Sequence, residues 1–319
     1  MRARIIGTGS YAPVHTMYNE DLAKLVDTND EWIMEHTGIK RRHLSTEGTA
    51  ILASKAAELA LENSGLTIDE IDMIIVATMT PDYSCPNTAC QVQAMLEATD
   101  LPCVDLSAAC AGFVYAMNTA NAYITSQMYK NILVIGAETM SKLVNWQDRG
   151  TCILFGDGAG AVVMQASETG IIAIDMGSDG SKGRVLCAKG APLENPITNS
   201  VEADYKLYME GSEVFKFAVR KIPETICATL AKVERDISEV DCFILHQANR
   251  RIIEAAARRL DLPIEKFPMN IDEYGNVSAA SVPILLDELN RSGKIEKGQL
   301  LMLSAFGAGL SWGSSLIEW

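Results

Sequence analysis

One cysteine stands where a short apolar strand gives way to a helix, in the stretch VDLSAACAGFVYAM at 104–117. Small residues surround Cys110, so the backbone can turn tightly there and a bulky substrate can approach. The free N–H groups and the macrodipole at a helix start favour a thiolate, and the same N–H groups can stabilise an oxyanion. The pattern predicts a nucleophile. The alternative is a small core residue at a tight junction, and local features leave both open.

Two more polar residues occupy comparable places later in the chain. His246 ends the apolar run 242–245 and precedes Gln247-Ala248-Asn249. Because the ends of strands carry function in α/β folds, we predict a functional histidine there, with a helix cap as the alternative. Asn276 lies among small residues in YGNVSAA and is predicted to lie in the same site, a role compatible with capping a helix.

Hydrophobic periodicity predicts strands that alternate with helices, and therefore an α/β fold. Strands are predicted at 2–7, 73–77, 102–106, 132–136, 152–155, 161–165 and 171–176, and helices at 30–36, 49–62, 88–98, 111–126 and 212–233. Gly7-Thr8-Gly9 is predicted to be a loop, the glycine-rich run 156–160 a tight connection between strands, and 178–207 an irregular excursion. Neither glycine-rich run has the pattern of a nucleotide-binding loop.

The chain also contains an internal repeat. TIDEIDMIIV at 67–76 resembles DISEVDCFIL at 236–245, and each is followed by a loop, a helix, a Leu-Pro pair, small residues with a further helix, and a hydrophobic strand. A period of about half the chain predicts a duplicated α/β unit and not a solenoid. We expect an N-terminal half at 1–170 that carries Cys110, a C-terminal half at 171–319 that carries His246 and Asn276, and a pocket between them.

Composition excludes several classes of function. The chain has 319 residues, with 27 basic and 41 acidic side chains and a net charge of −14, so general binding of nucleic acid or of anionic membranes is not expected. No apolar run approaches the roughly 20 residues that span a bilayer. The eight cysteines show no zinc-binding spacing and are interpreted as reduced, mostly core residues. We therefore expect a soluble, cytoplasmic protein without a metal site.

Taken together, five segments resemble one known family. DLSAACAGF at 105–113, FGDGAGAVV at 155–163, HQAN at 246–249, YGNVSAASVP at 274–283 and AFGAGLSWG at 305–313 are similar to the β-ketoacyl-acyl-carrier-protein synthases III of the thiolase superfamily, in order and along the whole chain. The resemblance implies a homodimer with a thiolase-like fold of αβαβα layers. It also implies the decarboxylative Claisen condensation that starts fatty acid synthesis, with no cofactor besides acyl-CoA as a substrate.

The resemblance further assigns roles to residues. Cys110, His246 and Asn276 would form the catalytic triad, with backbone N–H groups of Cys110 and Ala308 as the oxyanion hole. Residues implied to bind CoA are Trp32 and Arg149 around the adenine, and Phe215 and Asn249 along the tunnel. A basic patch implied to bind malonyl-acyl carrier protein comprises Lys216, Arg251, Arg258 and Arg259.

Two positions depart from the family pattern. His36 stands where an arginine is frequent, which implies weaker contacts to CoA. Cys85 stands where a phenylalanine closes the acyl pocket across the dimer, so we expect room for a longer or branched primer. Three alternatives are considered: a starter or acyl-transferring enzyme of secondary metabolism, a silent acyl-binding module, and a 3-hydroxy-3-methylglutaryl-CoA synthase. The last would need a glutamate near the loop at 78–82, which contains none.

Overall fold

The computed structural model describes residues 1–198 and 205–319 of the protein. The β-strands are β1 Arg2–Tyr11, β2 His15–Tyr18, β3 Arg41–Leu44, β4 Met73–Ala77, β5 Cys103–Leu106, β6 Asn131–Thr139, β7 Asp157–Ser167, β8 Ile171–Ser178, β9 Leu186–Cys187, β10 Tyr208–Met209, β11 Cys242–Leu245, β12 Leu300–Gly307 and β13 Ser311–Glu318. The α-helices are α1 Asn19–Leu22, α2 Asp30–Thr37, α3 Thr49–Ser64, α4 Thr88–Met95, α5 Gly112–Thr125, α6 Arg149–Cys152, α7 Gly211–Ala231, α8 Arg250–Leu260, α9 Ile271–Tyr274 and α10 Ser281–Arg291.

Two mixed sheets have matching strand orders. The first sheet runs β1-β7-β6-β4-β5 and the second β8-β13-β12-β11. In each sheet the strand from the repeated segment, β4 or β11, pairs in parallel with β6 or β12, which in turn pairs antiparallel with β7 or β13. β1 and β8 close the matching edges. The duplicated α/β fold is confirmed, whereas the division at residue 170 stays a prediction.

The two sheets and the helices form five layers. α5 and α10 lie between the sheets, where a buried apolar cluster joins them to strands of both. α3 and α4 cover the outer face of the first sheet, and α7 and α8 cover that of the second. This αβαβα arrangement explains why strands such as β4, β11 and β12 are almost entirely apolar: both of their faces are buried.

The residues Gly7-Thr8-Gly9 do not form a loop, as predicted, but lie inside β1. A Cβ atom on Gly7 would come within 2.4 Å of the Ala60 carbonyl oxygen, and one on Gly9 within 2.4 Å of the Ala60 nitrogen. The glycines therefore allow α3 to lie directly on the strand. The turn expected from glycine composition was wrong because the requirement comes from a distant helix.

Two further local predictions were wrong for related reasons. Residues 152–155 form the end of α6 and a turn instead of a strand, with Asp148 capping the helix by accepting from the Gly150 N–H at 2.9 Å. The run at 156–160 is not a connection, since β7 begins at Asp157. A Cβ atom on Gly160 would lie 2.7 Å from the Ile284 nitrogen, so this glycine admits α10 against β7.

The predicted irregular stretch at 178–207 contains a 3₁₀ turn at Gly180–Val185 and the short strand β9, which pairs with β10 directly after the stretch. Residues 199–204 of this prediction lie outside the described residues. Leu186 on β9 and Met209 on β10 line the central pocket. This segment therefore forms one wall of the functional site.

Within the described ranges, no helix has the length and apolar character needed to cross a membrane.

Candidate active site

A pocket lies where the two halves meet and opens to solvent, and its empty space measures about 750 Å³ when the solvent at its opening is included. Its lining includes Cys110, His246 and Asn276, which are 136 and 30 residues apart in sequence. Cys110 precedes α5, His246 follows β11, and Asn276 follows α9. The fold thus brings together the three residues that the sequence singled out. Aliphatic, aromatic and methionine side chains make up most of the remaining wall.

Cys110 lies in a 3₁₀ turn, Ala109–Ala111, that leads into α5. The turn begins with Ala109 at φ 47°, a left-handed conformation that is unfavourable for residues with a Cβ atom. Gly307 at the end of β12 lies against this turn, because a Cβ atom there would be 2.7 Å from the Cys110 nitrogen. The close approach aligns the end of β12, and Ala308 after it, with the cysteine.

Cys110 is only 8% exposed. Burial raises its pKa to about 12, against the smaller lowering effect of the Ser278 hydroxyl. The expectation that the helix start would lower this pKa is therefore wrong for the resting site. Removal from water disfavours the thiolate more than the local dipole favours it.

His246 is 1% exposed, and burial lowers its pKa to about 3, so its ring is neutral at pH 7. Its Nδ1 atom lies 2.6 Å from Ser281 Oγ, and its ring meets the edge of Phe306 with 5.5 Å between centroids. Ser281 Oγ also lies 3.0 Å from the Ser278 carbonyl oxygen. The Ser281 hydroxyl has one proton, which it can donate either to that carbonyl or to Nδ1. When it donates to Nδ1, the ring proton is on Nε2, which can then act as a donor.

Asn276 is held by its backbone and by its side chain. Its N–H donates to the Leu154 carbonyl at 2.8 Å, and its own carbonyl accepts from the Gly156 N–H at 3.1 Å. The side-chain Oδ1 accepts from the Ser278 N–H at 2.9 Å. Because Oδ1 is engaged, the Nδ2 group is the part of the amide that can donate into the pocket.

Sequence reasoning missed a polar network behind the cysteine, formed by Glu138, Ser278 and Ser281. Ser278 Oγ donates to the buried Glu138 carboxylate at 3.1 Å, and Ser281 joins Ser278 to His246. A signal was present, since Glu138 ends an otherwise apolar strand, NILVIGAE. The carboxylate also accepts from the Met79 N–H, so a glutamate does reach the loop at 78–82, although from β6.

The implied adenine site is closed in this structure. The Arg149 guanidinium lies 4.6 Å from the centroid of the Trp32 ring, and His36 stacks on Trp32 at 4.2 Å between centroids. A ring inserted between Trp32 and Arg149 needs about 7 Å, twice an ordinary van der Waals distance. Arg149 must therefore move before these residues can sandwich a base.

Phe215 and Asn249 line the pocket near its opening. Asn249 also has a structural role: its Oδ1 caps α8 by accepting from the Arg251 N–H at 2.8 Å, and its Nδ2 donates to the His36 carbonyl at 3.0 Å. Arg251 lies over the Phe215 ring at 5.7 Å. These contacts join α2, α7 and α8 around the mouth of the pocket.

The predicted basic patch lies outside the pocket on α7 and α8. Lys216, Arg251, Arg258 and Arg259 are all exposed, and Lys216 pairs with Glu213 at 2.9 Å. Cys85 is exposed and does not belong to the pocket lining found within the described chain. Its proposed role across a dimer stays a prediction.

All eight cysteines are free. Cys110 and Cys152 are buried, whereas Cys85 and Cys227 are exposed. The other four are partly buried, so the interpretation that most of the cysteines are core residues was wrong. In the part of the chain that the structure describes, no cluster of three or more His, Cys, Asp or Glu side chains is arranged to hold a metal ion.

The sequence was compared with protein families and with known proteins, and both comparisons point to one family. The 3-oxoacyl-[acyl-carrier-protein (ACP)] synthase III family model matches residues 104–180, and the model of the family's C-terminal part matches residues 230–319. A β-ketoacyl-[acyl-carrier-protein] synthase III of Desulfitobacterium hafniense is 48% identical, over 99% of this chain and 97% of the relative.

Solved structures show the same similarity. The crystal structure of 3-oxoacyl-[acyl-carrier-protein] synthase III from Aquifex aeolicus is 45% identical, with a TM-score of 0.94 over 99% of this chain and all of the other. The priming β-ketosynthase of the R1128 polyketide biosynthetic pathway is 33% identical, with a TM-score of 0.92 over 99% of this chain and 95% of the other.

Proposed function

Because the chain belongs to the β-ketoacyl-acyl-carrier-protein synthase III family, we infer that it is the initiating condensing enzyme of type II fatty acid synthesis. It is an acyl-transferring enzyme that joins an acyl group from acyl-CoA to a malonyl-acyl carrier protein by decarboxylative Claisen condensation. The products are 3-oxoacyl-acyl carrier protein, CoA and CO2. The catalytic residues are assigned because Cys110, His246 and Asn276 all line one apolar pocket.

In the first half-reaction, the Cys110 sulfur attacks the thioester carbon of a short acyl-CoA such as acetyl-CoA. A carbon–sulfur bond to Cys110 forms, the bond to the CoA sulfur breaks, and CoA leaves. Cysteine suits this step because its thiolate is both a good nucleophile and a good leaving group. The backbone N–H groups of Cys110 and Ala308, held together by the close approach of Gly307, would stabilise the oxyanion.

In the second half-reaction, malonyl-acyl carrier protein replaces CoA. His246 Nε2 and Asn276 Nδ2 donate to the malonyl thioester oxygen, and this stabilises the enolate that forms as CO2 leaves. The carbanion then attacks the acyl carbon on Cys110 and releases the sulfur. A neutral histidine fits this role because an imidazolium could protonate the carbanion, and burial keeps the pKa of His246 near 3.

Substrate binding would use the mouth of the pocket and the surface around it. Trp32 and Arg149 are proposed to hold the adenine of CoA after Arg149 moves, with Phe215 and Asn249 along the tunnel. Lys216, Arg251, Arg258 and Arg259 would attract the acidic carrier protein by charge complementarity, although the protein as a whole is acidic. Cys85 is proposed to shape the far end of the acyl pocket.

We further propose a homodimer, and support comes from the first sheet. β5 lies at the edge of that sheet and is free to pair with a second copy.

Eight free cysteines agree with a reducing, cytoplasmic location. No cofactor is required, since the thioester itself activates the acyl group. The halves 1–170 and 171–319 are proposed as the two duplicated units.

A priming role in secondary metabolism is not favoured. The polyketide priming synthase is 33% identical, whereas synthases III reach 45–48% over nearly the whole chain. A silent acyl-binding module is opposed by the presence of all three triad residue types in one pocket.

Intact mass spectrometry after incubation with acetyl-CoA tests the proposed function. We expect a single acetyl adduct on the wild type, which is lost in Cys110→Ala and discharged when malonyl-acyl carrier protein is added. Cys152→Ala is the matched control, since Cys152 is also buried but does not line the pocket. A wild type without an adduct, or an adduct that survives in Cys110→Ala, would disprove the assignment.

A further inference from the structure

The carboxylate of Glu138 is fully buried at the end of β6, directly behind the nucleophile. Four neutral donors surround it. Thr80 Oγ1 donates to Oε2 at 2.6 Å, Thr78 Oγ1 donates to Oε2 at 3.3 Å, and the Met79 N–H reaches both oxygens. Ser278 Oγ donates to Oε1 at 3.1 Å. Burial of a carboxylate that only neutral groups contact is costly, and it raises the pKa of Glu138 to about 7.

Ser278 connects this carboxylate to the reactive sulfur. Its hydroxyl donates to Glu138 on one side. On the other side, its turn Ser278–Ala280 packs against the turn Ala109–Ala111 that holds Cys110, and the hydroxyl has a lowering effect on the pKa of the Cys110 thiol. Oε1 has fewer close donors than Oε2, so a proton added to the carboxyl group would sit on Oε1, next to Ser278. Ser278 therefore lies between the turn of the nucleophile and the buried carboxylate.

We propose that Glu138, acting through the Ser278 hydroxyl, accepts the proton of the Cys110 thiol during acylation and returns it when condensation releases the sulfur. This rests on the proposed function, because it requires an acyl-Cys110 intermediate. Glu138 is a positioning residue in this scheme: it orients and recharges Ser278, and it does not touch the substrate.

The proton balance closes over one turnover. As the sulfur attacks, its proton moves to Ser278 Oγ while the Ser278 proton moves to Glu138 Oε1. CoA leaves as a thiolate and takes a proton from water at the pocket mouth. After CO2 has left and the new C–C bond has formed, the C–S bond breaks and the sulfur takes the Ser278 proton. Ser278 then recovers its proton from Glu138, and one solvent proton has been consumed.

The alternative base in the pocket is His246. Burial raises the pKa of Glu138 to about 7 and lowers that of His246 to about 3, so the carboxylate is the stronger base near neutral pH. The other ionisable groups around this end of β6 are engaged elsewhere. Asp157 accepts from Ser45 and Ser141, and Lys142 donates to Asp82 at 2.7 Å.

The test is the single-turnover rate of Cys110 acetylation against pH, followed by quenched-flow mass spectrometry. In the wild type the rate is expected to rise with pH through about 7 and then level, because only the deprotonated Glu138 accepts the proton. Glu138→Gln keeps the shape and the acceptor for Ser278 but lowers the rate at pH 7 by about 100-fold, a typical contribution of a general base. Its rate should continue to rise with pH as hydroxide replaces the carboxylate.

Controls separate this role from folding. Glu138→Asp should restore most of the rate, and Asp157→Asn removes a buried carboxylate that is not connected to Cys110. If Glu138→Gln does not fold, Ser278→Ala is the second variant. Alanine can adopt the left-handed conformation of Ser278 (φ 46°), because Ala109 already has nearly the same conformation (φ 47°). We expect Ser278→Ala to show the same loss of acetylation rate as Glu138→Gln.

The outcomes are distinguishable. Wild-type rate and pH profile in Glu138→Gln, with an acyl adduct present, would overturn the proton role while the proposed function stands. An equal, pH-independent loss in Glu138→Gln and Glu138→Asp would also overturn it, because this indicates packing. No adduct on the wild type would overturn both proposals.

Discussion

The turns that open the two central helices have nearly the same backbone and carry different chemistry. Ala109–Ala111 leads into α5, and Ser278–Ala280 leads into α10. Each turn begins with a left-handed residue, at φ 47° and 46°. They lie against each other, because a Cβ atom on Gly112 would be 3.4 Å from the Ala279 Cβ. Duplication thus placed two equivalent helix starts side by side.

The difference lies in the groups that each turn and its neighbours supply to the site. The first turn supplies the sulfur and its backbone N–H groups. The second supplies Ser278, the neighbouring Asn276 and, at the start of α10, Ser281, which contacts His246. In the proposed function, the first turn therefore holds the acyl group, and the second turn with its neighbours stabilises the developing charge. The comparison teaches that a duplicated scaffold can repeat the backbone strain of a site without repeating its reactive group.

The largest effect on the reaction rate is expected from a substitution that affects condensation but not acylation of Cys110. We expect Asn276→Ala to lower the rate of condensation with malonyl-acyl carrier protein by 10²–10³-fold, the usual cost of losing one oxyanion donor. Acetylation of Cys110 should remain within a few-fold of wild type, since Asn276 acts in the second step. Rapid-quench mass spectrometry measures both half-reactions. An equal loss in both would contradict the division of labour between the turns.

A smaller effect is expected where the acyl pocket depends on Cys85. Cys85→Phe should lower kcat/KM for isobutyryl-CoA by about 10-fold relative to acetyl-CoA, because a hydrophobic pocket discriminates by about this factor per methylene. A primer panel measures the ratio, and Cys227→Phe, at another exposed cysteine, is the control. An unchanged ratio would remove Cys85 from the acyl pocket.

At the pocket mouth, Arg149→Ala should raise KM for acetyl-CoA by about 5-fold with kcat nearly unchanged, since a cation–π contact contributes about 1 kcal/mol. Steady-state kinetics separate the two constants. Arg235→Ala, which breaks only the exposed pair with Glu239, should leave both unchanged. A lower KM in Arg149→Ala would mean that the closed contact with Trp32 chiefly blocks the entrance.

The smallest effect concerns the shared backbone strain. Ala109→Gly should stabilise the protein by about 0.5 kcal/mol, because relief of a left-handed Cβ outweighs the entropy that glycine loses on folding. Ala111→Gly, at φ −82°, should instead cost about 1 kcal/mol. Chemical denaturation measures both changes in the free energy of unfolding. A destabilised Ala109→Gly would show that the turn is not strained.

The order of elements and the triad could be predicted from the sequence, because both depend on local patterns. Apolar runs predicted β4, β6 and β11, and helical periodicity predicted α2 and α3, which end at Gly38 and Gly65. The repeat placed Asn276 opposite Cys110. Local periodicity follows from which face of an element is buried, so it survives in the sequence even when the partner is unknown.

Only the tertiary structure decided what depends on distant neighbours. Gly7 and Gly9 lie in a strand because α3 covers them, which no local rule could reveal. The thiol pKa rose instead of falling, because burial by both halves outweighs the helix start. Glu138 and Ser278 are 140 residues apart and meet behind Cys110. Sequence alone thus determined which groups were available, and packing determined their solvation and their partners, on which their chemistry depends.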